Sequence, residues 1–270
     1  MTRFHACGLG AGLLLAAGVT RAAPETLRQA VNRLAAETAR EIVFVERPGG
    51  SALPGGDGHW YANFGHYATS SEIKAYREGV RLCALDLVTG QVRVLLDDPQ
   101  GTLRDPAVHY DGQRLVCSYR KGGTPTFHLY TLNLDGTGLR QLTDGRYDDI
   151  EPAWLPDDSL VFCSGRARRY VQCWHTQVAT LHRCDPDGGR VRPISANIEH
   201  DNTPWPLPDG RILFMRWEYV DRSQVHYHHL WTCNPDGTGH QVFFGNYHPG
   251  GVYIDAKPVP GSNKIVFSNS

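Results

Sequence analysis

Cysteine, histidine and carboxylate side chains that could bind a metal ion lie between residues 148 and 216. Together such groups offer sulfur, nitrogen and oxygen ligands to a transition metal. Cys173, His175 and His200 are the candidate metal ligands. No two of them have the spacing of a recognised metal motif, so the metal hypothesis rests on residue type alone.

Charged residues recur in the same region and suggest a binding site. Acidic side chains beside arginine can recognise a polar ligand, because a guanidinium binds carboxylates through two parallel hydrogen bonds. The candidate ligand-binding residues are Asp149, Glu151, His200, Asp201, Arg216 and Asp255. A simpler interpretation is that each acid caps a turn or accepts a backbone N–H.

Signals of a specific reaction are missing from the sequence. It has no Gly-x-Ser-x-Gly, no His-Glu-x-x-His and no glycine-rich phosphate loop. It also lacks the Cys-x-x-Cys-His motif that attaches haem, since Cys173-Trp174-His175 is too short. The catalytic residues and the enzyme status therefore stay open.

The elements that must position these residues repeat along the chain. A strand ending in a turn begins at Leu82, Leu129, Leu181 and Leu230, with spacings of 47, 52 and 49 residues. A second pattern, as in EPAWLPDDSLVF, begins at Asp105, Glu151, Thr203 and Ala256. A period of about 40 to 50 residues with four short strands is typical of a β-propeller blade. A β-sandwich with chance similarity is the alternative.

The repeat predicts an all-β fold made of four-stranded antiparallel blades. About four and a half blades are present, the first starting at its second strand near Glu41, and a full ring would have about six or seven. The chain stops in mid-blade, which suggests a fragment or missing C-terminal residues. A short amphipathic helix is expected within residues 24–40, with Leu27, Val31, Leu34 and Ala35 on one face.

Strand order places the polar candidates at one end of the ring. If the strands of a blade are named a to d, strand a of the second blade is expected near Pro106–His109. The a–b and c–d connections are tight Asp-Gly-type turns. The b–c and d–a connections are longer and chemically mixed, and they fall on the opposite face. The cluster Asp148, Asp149 and Glu151 enters strand a, which lines the central channel. Convergent polar groups on a rigid scaffold favour binding at this face.

The N-terminus resembles an export signal. Arg3 precedes the apolar run from Cys7 to Val19, and small residues around Ala22 offer a cleavage site. An uncleaved anchor or a cytosolic helix is the alternative. The expected organisation is a signal peptide at 1–22, a helix and linker at 23–40 and the incomplete propeller at 41–270, in a periplasmic or secreted protein with no membrane span after signal removal. The net charge of −1 gives no argument for nucleic acid.

Six cysteines follow the expected signal. Five of them occupy strand positions of the repeat and are predicted to be core side chains: Cys83, Cys117, Cys163, Cys184 and Cys233. Only Cys173 lies outside the pattern. For Cys173, a buried core position and a role as a ligand or disulfide partner are both open.

The repeat LNLDGTGLRQLTDG and the run EPAWLPDDSLVF resemble the TolB-type propeller repeat. The longer stretch from QLTDGRYDDIEP to LWTCNPDGTG resembles the hydrazine synthase alpha-subunit-like proteins, most distinctively at residues 199–201 (EHD) and 216–222 (RWEYVDR). The resemblance covers residues 41–270. It implies an exported propeller beside other modules, which in hydrazine synthase carry c-type haem. This chain departs from the family in lacking a haem-attachment motif.

Together these features predict an exported propeller module that binds a partner domain, a protein or a small ligand at its loop-rich channel face. One alternative is a part of a haem- or metal-dependent oxidoreductase whose catalytic module lies outside this chain. The other is a TolB-like envelope scaffold. No cofactor is evident in this chain, although haem c or a metal ion is compatible with a longer protein.

Overall fold

The structure is a computed structural model that describes residues 26–37, 39–48, 66–67, 70–74, 76–173, 176–221, 226–246, 248 and 251–269. The predicted signal peptide and His175 lie outside these residues. Within them the fold is almost entirely β-structure, as the repeat predicts. No helix in this part of the chain is long and apolar enough to cross a membrane.

Nineteen short strands make up the described β-structure. The first nine are β1 (Glu41–Glu46), β2 (His66–Tyr67), β3 (Ser70–Lys74), β4 (Arg81–Asp86), β5 (Val92–Asp97), β6 (Thr102–Val108), β7 (Arg114–Arg120), β8 (His128–Asn133) and β9 (Arg140–Gln141). The others are β10 (Asp149–Trp154), β11 (Leu160–Ser164), β12 (Thr180–Cys184), β13 (Arg192–Pro193), β14 (Asp201–Pro206), β15 (Ile212–Trp217), β16 (Tyr227–Cys233), β17 (Gln241–Phe244), β18 (Gly251–Pro258) and β19 (Ile265–Asn269).

The strands form a series of antiparallel sheets in chain order. The first sheet is β1-β4-β5, the second β6-β7-β8-β9, the third β10-β11-β12-β13 and the fourth β14-β15-β16-β17. The hairpin β18-β19 begins a fifth sheet, which is joined to the fourth by a short parallel pairing of Tyr227 with Gly251. The four-stranded antiparallel units and the start of the first sheet at strand b are therefore confirmed.

Two local features differ from the sequence expectation. Strand a of the second sheet begins at Thr102 instead of near Pro106, because a bulge lets the strand continue through the proline. The small hairpin β2-β3 lies within the long b–c connection of the first sheet, where no strand was expected.

Neighbouring sheets pack through their faces and share the hydrophobic core. Phe162, Phe214 and Trp217 are among the largest side chains that are fully buried. One core cluster combines residues of the second, third and fourth sheets, including Phe127 and Ile150. The strands β7, β11 and β15 are therefore buried along nearly their whole length and read as nearly continuous apolar runs, whereas β5, β13 and β17 are mostly exposed.

A glycine in the c–d turn brings adjacent sheets together. Gly188 has φ +90°, and a methyl group placed on it would overlap the backbone carbonyl of Leu142 in the preceding sheet. Gly136 and Gly237 occupy the same position in the second and fourth sheets and approach the backbones of Leu95 and Ile194 in the same way. The Asp-Gly turns thus serve packing between sheets as well as chain reversal.

The five predicted core cysteines are buried and unpaired, which confirms their assignment to the core. Burial raises the pKa of the Cys117, Cys184 and Cys233 thiols to about 12 in each case. These thiols are thus protonated and inert in the folded protein.

The N-terminal helix α1 (Leu27–Glu37) lies inside the expected range of 24–40. Thr26 begins it, because its hydroxyl accepts a hydrogen bond from Gln29 N. Leu27, expected on the apolar face, is 82% exposed, and Val31 and Ala35 are half-buried. The expected helix is therefore present in the structure.

Candidate functional site

We call strand a of each sheet its inner strand. The inner strands of the second, third, fourth and fifth sheets share an unusual bulge. Asp105, Glu151, Thr203 and Asp255 have φ values of 53°, 55°, 51° and 56°. Each lies at a register shift between strands a and b. A left-handed conformation costs a residue other than glycine about 1–2 kcal/mol, so four repeats of it require compensating contacts.

Those contacts join one sheet to the next. The Asp105 carboxylate accepts a hydrogen bond from Glu151 N at 3.1 Å, and the Glu151 carboxylate accepts one from Thr203 N at 2.7 Å. Ser118 adds its hydroxyl oxygen as a second acceptor for Glu151 N at 3.0 Å. The bulge thus frees a backbone N–H from its own sheet and turns it toward the carboxylate of the preceding sheet.

Arg104 forms an ion pair with each of the two carboxylates. Its Nε donates to Asp105 at 2.6 Å, and its Nη2 donates to Glu151 at 3.1 Å. Burial alone would lower the pKa of Arg104, but Asp105 and Glu151 raise it above its ordinary value. Burial raises the pKa of Glu151, and Arg104 opposes this shift. The Cys163 thiol also donates to Glu151 at 3.4 Å. We call Arg104, Asp105, Glu151 and Thr203 the inner-strand network.

A second layer of acids lies two residues before the bulge. Asp149 accepts from Ser164 Oγ and from Arg166 Nη2, both at 2.7 Å. Asp201 accepts from Arg216 through Nε at 2.8 Å and Nη2 at 2.9 Å. From the sequence, these acids and those of the bulge were expected to form one set around the channel mouth. The structure separates them into two layers with different partners.

The remaining predicted ligand-binding residues differ in exposure. His200 is fully buried, accepts a hydrogen bond from Ala179 N through Nδ1 at 3.0 Å and packs with its ring centroid 5.7 Å from that of Trp217. Asp255 is exposed. Asp149 and Asp201 are fully buried, so a ligand at the loop-rich face would meet them only through their arginine partners.

The three predicted metal ligands remain a prediction as a set, because His175 lies outside the described residues. Cys173 is half-buried, whereas His200 lies in the core, and His175 is outside the description. Among the residues that the structure covers, no three His, Cys, Asp or Glu side chains are arranged to hold a metal ion. Burial and then the negative charge of Glu199 raise the pKa of the Cys173 thiol.

Glu199 is a titratable group that the sequence analysis did not select. Its side chain is fully buried, and Oε2 has no hydrogen-bond partner among the described residues. Within the same residues, Oε1 accepts one long hydrogen bond of 3.4 Å from Gln172 N. Burial raises the pKa of Glu199 to about 7, and the Gln172 N–H and Arg169 only partly oppose this. Residues 199–201 form a distinctive run in the sequence, but the sequence does not show that Glu199 is buried.

The arginines of the loop after β11 hold neighbouring connections in place. Arg166 donates to the backbone carbonyl of Asp144 at 2.8 Å, and Arg169 donates to that of Asn197 at 2.5 Å. These two hydrogen bonds hold the b–c connection of the third sheet against the d–a connections that precede and follow this sheet. These connections form the loop face, which we define as the b–c and d–a connections of the sheets. The a–b and c–d turns form the turn face.

The turn face carries an open groove of about 940 Å³ at the third sheet. Its charged residues are largely paired with one another: Arg183 with Asp157, and Arg190 with Asp185. The groove is therefore less suited than the loop face to recognise a charged ligand.

The cysteines do not fit covalent haem attachment. The sequence has no Cys-x-x-Cys-His, and five of the cysteines are buried inside strands with their thiols among core side chains. We therefore derive no chemistry through haem for this chain.

Comparison with known proteins supports the resemblance read from the sequence. The chain is 25% identical over 269 aligned residues to hydrazine synthase subunit alpha of Kuenenia stuttgartiensis, covering 78% of this chain and 32% of that protein. It thus spans about a third of the length of this relative. No family model matches the sequence.

The solved hydrazine synthase structure shows the same relationship at the level of fold. The Kuenenia stuttgartiensis hydrazine synthase structure matches with a TM-score of 0.71 and 21% identity, over 86% of this chain and 35% of that one. A putative TolB from Agrobacterium tumefaciens matches with a TM-score of 0.49 and 19% identity, over 62% of this chain and 57% of that one. The chain is therefore similar to the hydrazine synthase alpha subunit in sequence and in fold.

Proposed function

We propose that this chain is an exported β-propeller module that binds a partner domain, a protein or a small ligand at its loop face. The observation that carries the proposal is the inner-strand network, which joins successive sheets through partly buried carboxylates. Such a network costs conformational strain, and it fixes the connections of the loop face relative to one another. A rigid surface with mixed charge is suited to recognition.

The domain organisation belongs to the same proposal. We place a signal peptide at residues 1–22, a helix and linker at 23–40 and the propeller at 41–270, with export to the periplasm or the exterior. The five sheets would be part of a ring of about six or seven blades. Similarity to part of the hydrazine synthase alpha subunit supports a module that works beside other domains or chains.

Two tyrosines offer a matched test of the binding face. Tyr170 lies in the b–c connection of the third sheet on the loop face and is 62% exposed. Tyr110 lies in the a–b turn of the second sheet on the turn face and is 63% exposed. Each would be replaced in turn by the photo-crosslinking residue p-benzoylphenylalanine in the full chain, expressed in its native host and irradiated in cells.

The proposal expects a discrete crosslinked species from position 170, identified by mass spectrometry, and none from position 110. A binding face on the turn side would reverse this pattern. Equal crosslinking from both positions to the same abundant proteins would also contradict the proposal, because it would show contact without a preferred face.

The second candidate function is to form one part of a haem- or metal-dependent oxidoreductase whose catalytic module lies outside this chain. The 25% identity to a hydrazine synthase alpha subunit favours it over other enzyme classes. In that case the propeller would position a neighbouring catalytic domain, and the loop face would contact that domain.

A further inference from the structure

Four arginines lie on the loop face around the third sheet. Arg146 lies in the d–a connection that leads into this sheet, and Arg166, Arg168 and Arg169 lie in its b–c connection. Arg166 forms an ion pair with the buried carboxylate of Asp149. The other three are exposed, and none of them forms an ion pair within the described part of the chain. Their charges can therefore be balanced by a partner.

Contacts between the two connections bring these arginines onto one surface. A methyl group placed on Gly145 would lie 3.6 Å from Arg166 Nη1. The Arg168 guanidinium carbon lies 5.5 Å from the centre of the Tyr147 ring. Arg146 is the residue between Gly145 and Tyr147, so both of its neighbours in the chain face arginines of the b–c connection.

The conformation of Arg168 favours glycine at this position. Its φ is 57°, a left-handed conformation that costs glycine less than any other residue. Its backbone N–H donates to the carbonyl oxygen of Gly165 and closes the short turn after β11, which a glycine would do equally well. The local fold therefore does not require an arginine here. Residues held in such conformations are concentrated at binding sites.

Two exposed apolar side chains continue this surface. Tyr170, which follows Arg169, is 62% exposed, and Ile198 is 41% exposed. The Arg169 guanidinium joins their connections, because it donates to the backbone carbonyl of Asn197, the residue before Ile198. Tyrosine and arginine are enriched in protein interfaces, where the ring supplies contact area and the guanidinium binds carboxylates. The arginine patch is defined by these three arginines and two apolar residues: Arg146, Arg168, Arg169, Tyr170 and Ile198.

We propose that the arginine patch binds an acidic segment of a partner protein, in which several carboxylates accompany an apolar side chain. The carboxylates pair with the guanidiniums, and the apolar side chain packs against the exposed tyrosine and isoleucine. An extended segment fits better than a small anion, because Arg168 lies toward Tyr147 and Arg169 toward Asn197, on opposite sides of the b–c connection. This inference rests on the proposed binding role of the loop face and names the chemistry of the partner.

The charges around the patch favour an acidic partner. Asp144 is one exposed carboxylate beside three exposed arginines. Asp148 lies beneath the surface, where its carboxylate accepts a hydrogen bond from Phe127 N. Burial raises the pKa of Glu199 to about 7, so near neutral pH its charge compensates that of Arg169 only in part. The positive charge is local, since the whole chain has a net charge of −1.

Two fluorescent heptapeptides are the probes: Glu-Glu-Leu-Glu-Glu-Leu-Glu and its counterpart with glutamine in place of each glutamate. Each would be titrated with the full chain at low ionic strength and followed by fluorescence anisotropy. The inference predicts saturable binding of the acidic peptide and at least about tenfold weaker binding of the glutamine peptide. Binding of the acidic peptide should weaken as salt is added, because exposed charges are screened. A heptathymidylate of the same length tests whether the patch prefers nucleic acid.

Two double variants change the net charge equally at different places. Arg146→Glu/Arg168→Glu reverses two charges of the patch, whereas Arg140→Glu/Arg192→Glu reverses two exposed arginines on the edge strands β9 and β13. The first should weaken binding of the acidic peptide about tenfold and the second less than about twofold. Arg168→Gly suits the left-handed conformation, so it should weaken binding without lowering the melting temperature. It keeps the test decisive if the double variant fails to fold.

Four results would overturn the inference. These are equal binding of the two peptides, equal losses in the two double variants, tighter binding of heptathymidylate than of the acidic peptide, or a dimer of the parent that Arg146→Glu/Arg168→Glu dissociates. The last result would make a second copy of the chain the occupant of the patch.

Crosslinking from position 170 distinguishes this inference from the proposed function. Crosslinks that persist in the Arg146→Glu/Arg168→Glu protein would refute an acidic partner and leave the loop-face proposal standing. Binding of the acidic peptide without any crosslink from position 170 in cells would support the patch and contradict the loop-face proposal.

Discussion

Glu151 in the third sheet accepts the backbone amide hydrogen of Thr203 in the fourth, with 2.7 Å between Oε2 and N. The hydrogen bond requires Thr203 to adopt φ 51° and Glu151 itself to adopt φ 55°. The acids that interrupt the β-repeat therefore have a structural role, because they hold the inner strands of neighbouring sheets in one arrangement. The arrangement of the inner strands in turn fixes the positions of the connections that form the loop face.

Replacing Glu151 with glutamine should destabilise the protein by about 2 kcal/mol, because Arg104 would lose one carboxylate inside the network. The measurement is urea unfolding at pH 7. The control is Thr203→Asn, which changes the neighbouring bulge residue to one that tolerates positive φ and should be neutral or stabilising by up to about 1 kcal/mol. Equal losses in the two variants would contradict a specific role for the Glu151 carboxylate.

Arg216→Met should cost about 3 kcal/mol of stability, because it leaves the buried Asp201 without its cation. The exposed pair Arg190–Asp185 has the same two-bond geometry, with distances of 2.6 and 2.8 Å, and serves as the control. Arg190→Met should change the denaturation midpoint little, since surface pairs are screened. Adding Asp201→Asn to Arg216→Met should recover part of the loss, and strictly additive effects would argue against the pair.

Glu199 should make the protein less stable as the pH rises. Its pKa is raised to about 7 in the folded state, above the ordinary value of 4.5, so the folded protein holds a proton that the unfolded chain releases. Stability attributable to this group is present below pH 4.5 and is lost between about pH 4.5 and 7. Glu199→Gln, which cannot ionise, should therefore be more stable than the parent at pH 8 by about 1–2 kcal/mol and similar near pH 4.5.

The measurement for Glu199 is the difference in unfolding free energy between parent and variant at several pH values. Other titrating groups are common to both proteins and cancel in that difference. A difference that stays constant from pH 4.5 to 8 would show that the Glu199 carboxyl does not titrate in this window.

Cys173 should be the first of the six described cysteines to react with iodoacetamide. It is half-buried, whereas the other five are fully buried, so native alkylation should be at least about tenfold faster at Cys173. Glu199→Gln should speed this reaction further, because it removes a negative charge that raises the pKa of the thiol. Peptide mapping of the alkylated protein measures both effects, and early labelling of Cys117 or Cys163 would contradict the buried positions of these residues.

Much of the fold could be predicted from the repeat. Turn signals such as PDDS and LDGTG fix strand ends locally, and the same pattern assigned five cysteines to the core. The bulges could not be predicted, because an Asp-Pro or Glu-Pro pair usually marks a turn, and only contact with the next sheet stabilises the left-handed conformation. The strand was accordingly expected to start too late, near Pro106 instead of at Thr102.

The site was predicted less completely than the fold. The sequence identified Asp149, Glu151 and Asp201, but burial and pairing partners depend on side chains from other sheets and strands. Arg104 reaches Glu151 from 47 positions away, and Lys257 meets Trp205 from a neighbouring sheet. Glu199 and Lys257 were missed because nothing in their local sequence shows that burial will perturb their pKa values.

The binding role that we propose for this chain needs no redox cofactor held by its own side chains. Elemental analysis and an optical spectrum of the protein purified from its native compartment test this. We expect a colourless protein with far less than one transition-metal ion per chain. One metal ion or haem per chain that is lost on Cys173→Ala or His200→Ala would contradict it and favour the oxidoreductase.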